Sequence, residues 1–102
     1  MKITALSDAP VVPFNIDGKI MFSGSRAEIV HLTLAPGDKL EMHDNPVDVV
    51  FYMLQGSSFL LLGEGEKEIT ADSCFEIRSG ILRGWENRGR EKSRLLVIKL
   101  PD

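Results

Sequence analysis

Few side chains in this chain have chemical reach: two histidines, His31 and His43, a lone cysteine, Cys74, and a lone tryptophan, Trp85. Side chains alternate along an extended strand, so His43 and Asn45 point to one side. Val49, Phe51 and Met53 share a parity with one another, as do Arg83, Trp85 and Asn87. Two imidazoles fall short of the three protein ligands that an open transition-metal site usually shows. His43 serves as a general base only if it reaches a substrate proton at a near-neutral pKa. Otherwise it is expected to hydrogen-bond to Asn45 or to a backbone carbonyl. Trp85 suits an aromatic wall for a sugar ring or flat ligand, or simply a core position. Cys74, set in Ser73-Cys74-Phe75-Glu76-Ile77, lies outside any nucleophile motif and is expected to be a small core residue.

Composition narrows the classes. The 102 residues are enough for one domain, and 43% hydrophobic residues are enough for a packed core. Twelve basic against fifteen acidic residues give a net charge of −3. The basic loop Arg88, Arg90, Lys92 and Arg94 is offset by Glu86 and Glu91 and has no interleaved aromatics, so nucleic acid and anionic membranes are disfavoured partners. A single cysteine excludes an internal disulfide. The first residues, MKITALSDAPVV, lack the apolar core of roughly 7–15 residues found in a signal peptide. No apolar run approaches the roughly 18 residues of a membrane span. The expectation is a cytoplasmic protein.

The elements that must position these side chains are short. Turn signals recur at Asp17-Gly18, Ser23-Gly24, Pro36-Gly37, Asn45-Pro46, Gly56, Gly63-Glu64-Gly65, Ser79-Gly80 and Arg88-Gly89. Between them, segments near 27–34, 39–43, 48–54, 57–62, 66–70, 74–78, 81–86 and 94–99 are expected to be strands, as in a sandwich or barrel. No window shows a sustained helical period. Residues 1–25 are expected to form an arm or edge strand, and 26–100 a barrel. Val49 to Leu54 and Phe59 to Leu62 are apolar at both parities, the pattern of strands covered on both faces, which favours a homodimer.

Gly37, His43, Asn45, Val49 and Gly56 fall on a frame of glycine, five residues, His, one residue, His, three residues, Glu, six residues, glycine. Asp72, Arg78, Gly80, Arg83 and Asn87 fall on a second frame of glycine, five residues, Pro, one residue, glycine, two residues, His, three residues, Asn. Over roughly residues 32 to 100 the chain thus resembles the cupin family, in particular its small single-domain bacterial members. The resemblance implies an all-β fold, a jelly-roll, double-stranded β-barrel. It also implies that His43, Asn45, Val49 and Arg83 surround one interior point, where intact members hold a divalent metal with three His and one Glu.

Here only one imidazole survives. The Asn45 amide is a weak neutral donor, Val49 donates nothing, and Arg83 carries a permanent positive charge. Unit charges about 4 Å apart at an effective dielectric of about 20 interact by about 4 kcal/mol, and a dication beside Arg83 would be repelled about twice as strongly. No metal and no other cofactor is therefore expected. A reduced site could be rebuilt from His31 and His43 if the His31 face lines the barrel, giving a metal-dependent oxygenase, isomerase or lyase as the alternative. Arg83 itself admits three readings: a receptor for a carboxylate or phosphate, an internal salt bridge to Glu76, Asp48 or Glu86, or a side chain extended out of the barrel mouth. The expected pocket is lined by His43, Asn45, Val49, Phe51, Met53, Arg83 and Trp85, with a small carboxylate or sugar acid as ligand. A structural or sensory subunit with a filled barrel is the remaining class.

Overall fold

A computed structural model describes residues 1–101. Among the described residues, short Val-, Ile- and Leu-rich runs between turns give nine strands: β1 (Asp17–Ser23), β2 (Glu28–Leu34), β3 (Lys39–His43), β4 (Asp48–Gln55), β5 (Ser57–Leu62), β6 (Gly65–Thr70), β7 (Cys74–Ile77), β8 (Arg83–Glu86) and β9 (Ser93–Leu100). They form two antiparallel sheets, of order β1-β2-β9-β4-β7 and β3-β8-β5-β6. The fold is the expected all-β jelly roll, and all eight anticipated strands are present to within two residues at either end.

Alternation decides which residues enter the core. Val30, Leu32 and Leu34 of β2, Val49, Phe51 and Met53 of β4, and Leu95 and Val97 of β9 are buried between the sheets. The opposite sheet contributes Leu60, Ile69 and Trp85. Phe51 meets Trp85 edge-on, with ring centroids 5.4 Å apart, and Phe75 completes the aromatic cluster at 5.3 Å from Phe51. Burial of such rings dominates the energetics of a small core.

The other parity of the five-stranded sheet faces outward. It carries Ile29, Val50, Tyr52, Leu96 and Ile98, all half-buried, together with buried His31. Cys74 also lies on this side and is exposed, which corrects its expected core position: Phe75 and Ile77 take the inward parity of β7. At the far edge of the smaller sheet, β6 presents Glu66, Lys67 and Glu68, all exposed.

Within residues 1–25 the chain forms a short helix at Leu6–Asp8 and then strand β1 at the sheet edge. The segment before β1 doubles back along it: Val12 N–H donates to Gly18 O and Ile20 N–H to Pro10 O, each at 2.8 Å. Ile16 is buried in the core, which anchors this arm to the barrel.

Two backbone positions constrain the chain locally, one in the β6–β7 turn and one within β8. Asp72, standing at a glycine of the second frame, has φ +65°, a left-handed conformation that Asp tolerates better than most residues. Gly84 lies opposite an irregularity in β3, where pairing passes from Leu40↔Trp85 directly to His43↔Arg83. A β-carbon at Gly84 would come within 2.5 Å of Leu40 O and 3.0 Å of Met42 N. The extra residue in β3 is a bulge, and it turns Leu40 and His43, three apart, to the same side.

Candidate functional site

The space between the sheets is not filled. A cavity of about 540 Å³ opens at one end of the barrel, within the range of small-molecule sites. Its walls include Val30 and Leu32 of β2, Leu40 of β3, Phe51 of β4, Trp85 of β8 and Val97 of β9. Val12, Phe14 and Asn15 of the N-terminal arm complete one side, a contribution that the sequence frames did not signal.

The cavity brings together His43, Asn45, Phe51, Arg83 and Trp85 of the expected pocket. Val49 and Met53 are not among its lining residues, and the expectation for them is corrected. Both are wholly buried in the core, Met53 beside Leu95 and Val49 between Ile77 and Lys99. Parity gives a side chain's direction, not the depth at which neighbours cover it.

His43 lies at the exposed end of β3, paired with Arg83 across the β3–β8 ladder. Its Nδ1 donates to Glu41 O at 3.0 Å, the backbone-carbonyl contact anticipated for it. With Nδ1 carrying the proton, the neutral ring keeps a free lone pair on Nε2. Asn45 is half-buried, and its backbone carbonyl accepts from Gly80 N–H at 2.9 Å, which ties the β3–β4 loop to the loop before β8.

Arg83 is 2% exposed, and its guanidinium has no hydrogen-bond acceptor or carboxylate partner among the described residues. The three carboxylates considered for a salt bridge are engaged elsewhere. Glu76 pairs with Arg78 at 3.2 Å, Glu86 with Arg88 at 2.8 Å, and Asp48 accepts from Ser79 N–H at 2.8 Å. The guanidinium instead sits 5.7 Å from the Phe51 ring centroid. Burial lowers its pKa, and the more distant charge of Asp44 partly opposes this. Trp85 Nε1 is fully buried without an acceptor.

Other charges on the cavity wall are balanced or solvated. Lys99 pairs with Glu28 at 3.4 Å across the β2–β9 ladder, and the Glu41 side chain is 83% exposed. Asn87, the last residue of the second frame, is buried but structural. Its Nδ2 donates to Leu34 O and Glu91 O at 2.8 Å, and its Oδ1 accepts from Gly89 N–H at 2.9 Å.

A two-histidine site is ruled out by topology. His31 occupies the outward parity of β2, where it lines a separate surface hollow with Asp17, Lys19 and Thr33. Arg94 Nε donates to its Nε2 at 3.1 Å. His43 opens to the interior cavity on the other side of the sheet. Among the described residues, no group of three or more His, Cys, Asp or Glu side chains could hold a metal ion. The four positions of the family's metal set hold an imidazole, an amide, an isopropyl group and a guanidinium, and this donor set does not fit a divalent cation.

Two facing antiparallel sheets in jelly-roll order around an open cavity define a double-stranded β-barrel. The cupin domain family model matches residues 30–99, and the chain belongs to the cupin family. A search of curated proteins finds no match. Solved structures similar to this chain include the polyketide cyclase RemF from Streptomyces resistomycificus, at 17% identity and TM-score 0.88, covering 100% of this chain and 80% of that one. TT1209 from Thermus thermophilus is 25% identical, with TM-score 0.82 and coverage of 99% and 98%. KdgF from Halomonas sp. is 18% identical, with TM-score 0.79 and coverage of 93% and 88%. At these identities the likeness speaks for the fold.

Proposed function

We propose that this chain is a small-molecule-binding cupin barrel in which an anion site has replaced the family's cation site. The observation that carries this reading is Arg83: a buried guanidinium on a cavity wall with no hydrogen-bonded or salt-bridged partner among the described residues. Burying a charge without a partner is costly, and a carboxylate that accepts two parallel hydrogen bonds removes that cost. Nε2 of His43 and the amide of Asn45 lie on the same cavity and offer further polar contacts to a carboxylic or sugar acid. The metal site is read as degenerate, because a dication at that point would meet a fixed positive charge.

Thermal-shift screening against small acids tests this, with Arg83→Ala as control. Acid-dependent stabilisation that disappears in the variant is expected. No stabilisation, or stabilisation unchanged in the variant, would sink the reading.

A second reading, an enzyme, is favoured by the geometry of His43. Glu41 O fixes the ring so that Nε2 can accept a proton beside a group able to hold a substrate carboxylate. A polyketide cyclase among the similar structures is compatible with such chemistry on this fold. A metal-dependent oxygenase, isomerase or lyase would need donors beyond His43, and His31 cannot supply one. Elemental analysis of the purified protein beside His43→Ala discriminates: stoichiometric metal lost in the variant would favour the metal enzyme.

The assembly proposed is a homodimer through the outer face of the five-stranded sheet, supported by half-buried Ile29, Val50, Leu96 and Ile98. No helix among the described residues is long and apolar enough to cross a membrane. The exposed free thiol of Cys74 supports a reducing, cytoplasmic compartment.

A further inference from the structure

We infer that the ligand of this barrel is an apolar monoanion, an aryl or alkyl carboxylate, and not a hydroxyl-rich sugar acid. The inference rests on the anion-site reading above and sharpens it to a substrate class. Its first support is the distribution of charge. Of the charged side chains on the cavity wall, Glu28 and Lys99 neutralise each other, Glu41 stands in solvent, and only Arg83 is both buried and unpaired. One buried, unpaired cation calls for one negative group.

The second support is the chemistry of the remaining wall. Val30, Leu32, Leu40, Phe51, Trp85 and Val97 come from both sheets and present hydrocarbon and aromatic faces. The neutral polar side chains on the wall are Asn15, Asn45 and, at the mouth, His43, with the indole of Trp85 adding a buried Nε1 that has no acceptor. A sugar acid would bring several hydroxyls into this space, and most would lose water without gaining a partner. An aryl or alkyl body loses nothing of the kind and gains by leaving water.

The third support lies at the mouth. Phe14 and Met42, both exposed, border the opening beside His43. An apolar rim next to a polar anchor matches a molecule that enters with a hydrophobic body and a charged head.

Isothermal titration with hexanoate, octanoate, decanoate, 3-phenylpropionate, glucuronate and inorganic phosphate tests the inference. Affinity is expected to rise about fourfold for each CH₂ added along the alkyl series until the cavity is full. Octanoate or 3-phenylpropionate should bind at least about tenfold more tightly than glucuronate or phosphate. Trp85, the single tryptophan, should report the same event as a change in emission. Octanamide on the unaltered protein measures the need for charge whether or not Arg83→Met folds, and it should bind at least about tenfold more weakly than octanoate.

Glucuronate or phosphate binding as tightly as the apolar acids, with Arg83 dependence, would overturn the apolar class and leave the anion site standing. Octanamide equalling octanoate, or no acid binding at all, would overturn both.

Discussion

His43 and Arg83 face each other across the β3–β8 ladder, yet one stands in solvent at the cavity mouth and the other is almost fully enclosed. The pairing places a hydrogen-bonded imidazole directly beside a cation that has no salt-bridge partner among the described residues. On the proposed reading that cation costs stability in the ligand-free protein and anchors the ligand in the complex. Stability and binding therefore pull Arg83 in opposite directions.

Replacing Arg83 by Met is accordingly expected to stabilise the ligand-free protein, by about 1–3 kcal/mol, because an apolar side chain of similar length removes a buried, unpaired charge. Denaturant unfolding without added acid measures it. A loss of stability instead would mean that the guanidinium is already compensated.

Gly84→Ala should destabilise the barrel by about 1–3 kcal/mol, since its β-carbon would press on backbone, not on a mobile side chain. Reversing the strain would require straightening the β3 bulge, which would rotate His43 away from the cavity. Chemical denaturation reads the stability, and a melting curve indistinguishable from that of the parent would refute the close approach.

His31 makes stability depend on pH. Its pKa lies below the usual 6.5, first because burial disfavours the charged ring and then because Arg94 repels it. With the folded value depressed, the unfolded chain binds the proton more readily. The contribution of neutral His31 is thus complete above about pH 6.5 and is lost as pH falls toward and through the lowered folded value. Melting temperatures from pH 8 to pH 5 should fall less steeply in His31→Gln than in the parent; parallel curves would contradict this.

Ile98→Asp, on the outward face of β9, should convert the proposed dimer to a monomer by setting a carboxylate in the middle of its apolar contact. Light scattering coupled to size exclusion gives the mass directly. A parent protein that is already monomeric at micromolar concentration would dispose of the dimer.

Much of the architecture was legible because turns and alternation are local properties. Gly56, at φ +73° between β4 and β5, is packed so that a β-carbon would lie 2.8 Å from Lys92 O. The need for glycine there is visible in the spacing alone. Arg83 and Asn87 likewise fell where counting along the second frame placed them, one beside the cavity and one locking the loop before β9.

What escaped was non-local. His31 sits one residue from inward-facing Leu32, and only pairing with β9 and β1 decides which parity of β2 faces inward. The position of Cys74 turned on the same choice for β7. The β3 bulge leaves no compositional trace in Glu41-Met42, because its cause is Gly84, more than forty residues away. The arm residues Val12 and Phe14 reach the site through hydrogen bonds that no spacing encodes, Val12 to Gly18 of β1 and Phe14 to Val12.

The outer rim of the smaller sheet has a consequence for crowding in solution. If two copies met through β6 in a two-fold antiparallel register centred on Lys67, each Lys67 would oppose its twin and each Glu66 would oppose a Glu68. Every exposed charge in that register would meet its own sign. In that register β6 repels its own image, so extension of the ladder through a second copy paired on Lys67 is disfavoured.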